Sequence, residues 1–86
     1  MPYKPTTRPG EIVADILETD GGWLTPDTVA MEVARITDAR IGPVQAIAAL
    51  RRLAGRDRIE QRCAVTIEPT TGKFRNAYVY RWKEIA

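Results

Sequence analysis

Gln45, Ala48, Arg51 and Arg52 recur at the three- and four-residue spacing that lines up one side of a helix, with Val44 beside them. Guanidinium groups suit phosphate oxygens, and the Gln45 amide can bond two edge atoms of adenine at once. This side is low in bulk near its start and carries no acid. A helix approaching phosphates needs that, because a carboxylate there would be repelled. A solvated amphipathic helix with two arginines gives the same pattern, so position in the chain has to decide. Farther on, Lys73 and Arg75 follow a turn-forming run and would tip a hairpin able to reach a neighbouring phosphate or minor groove. A basic tip that merely keeps a hairpin soluble is the other reading.

The elements that must position these groups are legible in the order they occur. Residues 1–8 carry prolines and threonines without periodicity and read as a flexible arm ahead of a single domain over 9–86. A first helix should run from Pro9 to the Gly21-Gly22 pair, burying Ile12, Val13, Ile16 and Leu17, with Glu11 favouring its start. Trp23-Leu24 is a short apolar link that could supply one strand. Thr25-Pro26-Asp27 combines an N-cap, a first-turn proline and a first-turn acid, which predicts a second helix to about Ile36. Residues 37–42 form a turn anchored by Ile41. From Pro43 a third helix turns Ala46, Ile47, Ala49, Leu50, Leu53 and Ala54 inward and ends at Gly55.

After Gly55 the period falls to two. Ile59, Cys63, Val65 and Ile67 alternate into a half-buried strand, and Glu68-Pro69-Thr70-Thr71-Gly72-Lys73 is turn chemistry. A second strand follows with Phe74, Tyr78, Tyr80 and Trp82 on one side. In a domain this small these aromatics, with Trp23, are expected in the core rather than stacked on bases. Cys63 is expected to be a small buried apolar residue.

Composition narrows the function classes. The chain has 86 residues and a net charge of only +2, but that charge is unevenly placed. Residues 1–50 hold four basic and seven acidic side chains, and residues 51–86 hold nine basic and four acidic. A basic half that coincides with the third helix and hairpin points to a polyanionic partner. There is no His, no Ser and one Cys. That removes Ser-His and Cys-His nucleophile pairs and the usual zinc clusters. Glu11, Asp15 and Glu18 sit at helical spacing and read as a solvated face, and the glycines are too dispersed for a phosphate loop. No enzyme, metal or cofactor is expected. A lone cysteine suits a reducing compartment, and neither a membrane span nor a signal-peptide core is present in the sequence. The expectation is a cytoplasmic protein with no membrane partner.

A helix, a turn, a second helix with outward arginines, then a basic hairpin: this order resembles the winged helix-turn-helix superfamily, the fold of many bacterial and phage transcriptional regulators. Leu50-Arg51-Arg52-Leu53 followed by Ile59 is similar to the family's two leucines three apart and its glycine-isoleucine pair before the wing. Tyr78-Val79-Tyr80 resembles its second wing strand. The likeness covers roughly residues 9–83. Asp57-Arg58 stands where the family usually has a glycine, so the bend into the first strand must be made differently. The resemblance implies an α+β fold of three helices and a C-terminal two-stranded wing, with a short third strand near Trp23. It implies double-stranded DNA as partner, with Gln45, Ala48, Arg51 and Arg52 facing the major groove and Lys73 and Arg75 as wing contacts. It also places Arg40 and Thr25 near phosphate, Thr25 through a helix start, although a cap is the commoner role for such a threonine. A protein-interaction module is the alternative, because fold does not fix function. The termini suit a monomer, or a weak homodimer through the first helix or the aromatic strand.

Overall fold

A computed structural model of the chain describes residues 7–83. The arm expected over residues 1–8 therefore lies outside the described residues up to residue 6. Three helices precede an antiparallel hairpin: α1 (Pro9–Asp20), α2 (Pro26–Ile36), α3 (Pro43–Gly55), β1 (Ile59–Ile67) and β2 (Phe74–Trp82). This is an α+β fold with the winged-helix layout the sequence implies.

Each helix begins with proline at its first position, where the missing N–H costs nothing. Gly21 ends α1 in the left-handed region, φ 75°, and donates its N–H to the Leu17 carbonyl. The α2–α3 turn uses no glycine for its left-handed residues: Asp38 and Ala39 take φ 54° and 59°. Buried Thr37 holds that turn. Its hydroxyl donates to the Val33 carbonyl at 2.6 Å and accepts from the Ile41 N–H at 3.4 Å. Ile41 is buried below, as the sequence predicts.

The core gathers Ile12, Val13 and Leu17 of α1, Val29, Ala30 and Val33 of α2, and Ala46, Ala49 and Leu50 of α3. The inward arcs read from helical spacing thus coincide with the packed ones. Ile59 and Tyr80 close this core from the base of the hairpin. The strand expected near Trp23 is a single bridge at Leu24, which exchanges two 2.8 Å bonds with Tyr80.

The outer hairpin departs from expectation. Cys63 is exposed, not buried. Val65 and Ile67 are 66% and 60% exposed, and Phe74 and Tyr78 are 74% and 55% exposed, so neither aromatic joins the core. Among the described aromatics only Tyr80 is buried, with Trp23 and Trp82 half-buried. The reason is length. Strands of nine residues reach about 30 Å, and the core takes only Ile59 and Tyr80 from them. The alternation is real, but its outer half has nothing to face. The opposite side is partly covered: Arg62 and Arg81 stack on the Trp23 ring at 4.3 and 4.5 Å, and Val79, cross-strand from Arg62, is buried.

Asp57 resolves the missing glycine before Ile59. It adopts φ 59°, so it makes the left-handed bend from α3 into β1 itself, and its carboxylate pairs with Lys83 at 2.8 Å. An exposed ion pair of this kind adds little, whereas glycine relieves the left-handed strain. Asp57→Gly should therefore leave the thermal midpoint unchanged or slightly raised. A clear drop would show that the Lys83 pair outweighs the backbone strain.

Candidate nucleic-acid interface

The exposed side of α3 is a narrow ridge of Val44, Ala48 and Gly55, flanked by Arg51 and Arg52. Consecutive residues lie about 100° apart around a helix axis, so the two guanidinium groups leave the ridge toward opposite flanks. Arg51 lines a cleft of about 680 Å³ between α3, the start of α2 and the hairpin, together with Thr25 and Arg75. Its charge opposes the effect of burial on the Tyr80 hydroxyl, but burial dominates and holds that phenol above its ordinary pKa. Arg52 lines a separate groove of about 370 Å³ beside the start of α1.

That second groove concentrates positive charge. Arg8, Arg52, Arg56 and Arg58 line it, with Glu11 as its acid. Among the described residues, Arg8, Arg52 and Arg56 have no carboxylate within ion-pair distance. Arg58 lies over the Trp82 ring at 5.6 Å, which orients it without neutralising it. The start of α1 adds the positive end of a helix dipole, and Arg8 at its N-cap makes no side-chain cap. Elsewhere Arg35 is paired with Glu32, Arg81 with Glu60 at 2.5 Å and Lys83 with Asp57, while Arg62 lies over the Trp23 ring. The Arg35 pair holds the Glu32 carboxyl below its usual pKa, chiefly through the hydrogen bond between them. Arg51 and Arg52 on α3, Arg56 just after it and Arg8 just before α1 thus bring arginine charge without a carboxylate partner among the described residues to one region.

Of the residues singled out in the sequence, Ala48, Arg51 and Arg52 share the exposed side of α3. Gln45 is exposed there too, but its Oε1 turns back to accept the Gly42 N–H at 3.0 Å and caps its own helix. Arg40 is exposed in the α2–α3 turn, and Lys73 and Arg75 are exposed at the outer end of the hairpin. Gly72 takes φ 69° in the turn before them, as its type predicts. Thr25 is a cap: its Oγ1 accepts the Thr28 N–H at 3.2 Å and lies 2.8 Å from the Thr28 hydroxyl. Thr25→Ala should lower stability by about 1 kcal/mol in a denaturant titration. A loss of nucleic-acid affinity with unchanged stability would instead mark Thr25 as a phosphate contact.

Three groove residues, Arg8, Arg56 and Arg58, were not among those the sequence reading chose. Arg56 lies four residues beyond Arg52, so helical spacing could have found it. Arg8 lies in the extended approach to α1, and only the packing of α1 on α3 brings it near. The carboxylates of Glu11, Asp15 and Glu18 are exposed along α1. Among the described residues no group of His, Cys, Asp and Glu is arranged to hold a metal ion, and no helix is long and apolar enough to cross a membrane. Comparison with models of known protein families, with characterised proteins and with solved structures gave no match.

Proposed function

We propose that this chain is a non-catalytic, double-stranded DNA-binding protein of the winged helix-turn-helix type, a small transcriptional regulator or architectural factor working in a reducing cytoplasm. The observation that carries this reading is the pair of arginine-bearing flanks on either side of the α3 ridge. A helix with its side chains is about 10–12 Å across and the major groove about 12 Å wide. With α3 in the groove, Arg51 reaches one phosphate wall, and Arg52 with Arg56 and Arg8 reaches the other. Val44 and Ala48 then lie nearest the base edges, where small apolar groups suit thymine methyls. Lys73 and Arg75 meet the flanking backbone. Gln45 reads adenine only by giving up its cap on Gly42, so affinity rests on phosphate and sequence preference is modest.

A second reading, a protein-interaction module, is favoured by one observation: the exposed apolar side chains of the outer hairpin. Amide chemical-shift mapping during titration with a short duplex separates the two. The DNA reading expects the largest shifts at Val44, Ala48, Arg51, Arg52, Arg56 and Arg8. Shifts absent from α3, or confined to the hairpin face bearing Phe74, would remove it.

A further inference from the structure

Among the described residues, the outer edge of β1 has no partner strand. The sheet runs from the single Leu24 bridge through β2 to β1 and stops there. Which backbone groups face that edge follows from the surrounding bonds. Tyr80 directs its N–H and carbonyl to Leu24, away from its cross-strand partner Gln61. Arg58 and Glu68, at either end of β1, bond toward β2 through Lys83 and Lys73. Even-numbered residues of β1 therefore bond inward, and Ile59, Gln61, Cys63, Val65 and Ile67 present their N–H and carbonyl groups to the open edge. β1 carries no proline, glycine or lysine, and its charged residues Glu60 and Arg62 are engaged by Arg81 and the Trp23 ring. Three of these, Cys63, Val65 and Ile67, supply the exposed apolar stripe.

We infer that the chain forms a two-fold homodimer by antiparallel pairing of β1 with β1 of a second copy, centred on Cys63. Cys63 is the middle residue of the nine-residue strand. A two-fold axis there sets Cys63 opposite Cys63, Gln61 opposite Val65 and Ile59 opposite Ile67. Every one of these faces the open edge, so the five outward residues of each strand form ten hydrogen bonds. That is about the number found in stable interfaces. Centring on Gln61 or Val65 instead would pair only three outward residues of each strand, for six hydrogen bonds. In the chosen register Arg58 falls opposite Glu68 of the other copy, twice, and no like charges face each other. Directly opposite residues share a face, so exposed Ile67 of one copy is set beside buried Ile59 of the other. The apolar stripe is thereby carried to the base of the second hairpin, where the helices pack. A charged or polar partner strand would leave that stripe uncovered.

The inference is independent of the DNA reading, and its test contains no nucleic acid. Sedimentation equilibrium of the full chain under reducing conditions should give a dimer mass that falls by half on dilution. Val65→Pro and Val65→Lys should each halve the mass at high concentration. The proline removes an N–H that faces the open edge, not a β1–β2 bond, and the lysine keeps the falsification available if the proline variant fails to fold. Register is read by oxidation with diamide, which accepts the two thiol hydrogens as the S–S bond forms. Opposed residues of a hydrogen-bonded pair have Cα atoms about 5.5 Å apart, within the range of roughly 4.4–6.8 Å that a disulfide spans. The wild-type chain should cross-link through Cys63. Gln61→Cys with Cys63→Ala should not cross-link to itself, but should when mixed with Val65→Cys carrying Cys63→Ala. A monomer at all concentrations, a dimer that survives Val65→Lys, or self-cross-linking at position 61 equal to that at Cys63 would overturn the proposal.

Discussion

Replacing Arg52 and Arg56 together by alanine should weaken binding to a random-sequence duplex roughly tenfold to a hundredfold, through loss of two charge-assisted phosphate contacts. Arg52 in the last turn of α3 and Arg56 at its C-cap are both exposed and lack an ion-pair partner among the described residues, so their removal breaks no internal contact. They lie four residues apart at the end of α3, where like charges repel, and alanine at position 52 is the better helix former. The variant should accordingly be as stable as the parent or slightly more so. Because each neutralised phosphate contributes about 0.9 to the slope of log affinity against log salt, the double variant should also flatten that slope by about 2. Arg35→Ala is the matched control: its guanidinium is paired with Glu32 on α2, and its loss should leave DNA affinity unchanged. Equal effects from both variants would mean that net charge alone, not this groove, governs binding.

Leu50→Ala should cost about 2–5 kcal/mol of folding stability. Leu50 is fully buried in the core where α1, α2, α3 and the base of the hairpin meet, and it is among the largest such side chains. A domain of 86 residues has only about 4–13 kcal/mol in total. A loss near 3 kcal/mol should lower the thermal midpoint by roughly 10–25 °C, measured by circular dichroism. Val44→Ala, six residues earlier on the same helix but exposed, should change stability by less than about 0.5 kcal/mol. The contrast separates the packed side of α3 from the side assigned to DNA. If both substitutions cost the same, α3 is not oriented as described.

Local signals carried most of the fold. Thr25-Pro26-Asp27 marked the start of α2 because cap, proline and first-turn acid act within one turn, and the observed cap confirms each. Helical spacing separated the buried and exposed sides of α3 because 3.6-residue geometry does not depend on the rest of the chain. Gly72 announced its turn in the same way. What failed depended on tertiary reach. Strand alternation says which residues share a face, but not how far the helix layer extends beneath them. Cys63, Val65, Ile67, Phe74 and Tyr78 were therefore assigned to a core that ends short of them. The burial of Val79 could not be read for the converse reason, since the Trp23 ring on its side of the hairpin comes from a distant loop. Gly55 ends α3 as read from the sequence, but the left-handed bend that follows is made by Asp57. The candidate site divides likewise: Ala48, Arg51 and Arg52 were legible from one helix, whereas the groove joining Arg8 to Arg52, Arg56 and Arg58 exists only once α1 packs on α3.

The most direct test of the central claim is fluorescence anisotropy with a labelled random duplex, titrated at a series of salt concentrations. Four arginines without carboxylate partners among the described residues, Arg8, Arg51, Arg52 and Arg56, frame the α3 ridge. Affinity should then fall linearly on logarithmic axes with a slope of magnitude about 3 to 5. A folded sample that does not bind at low salt, or binding indifferent to salt, would contradict the assignment of this surface to a phosphate backbone.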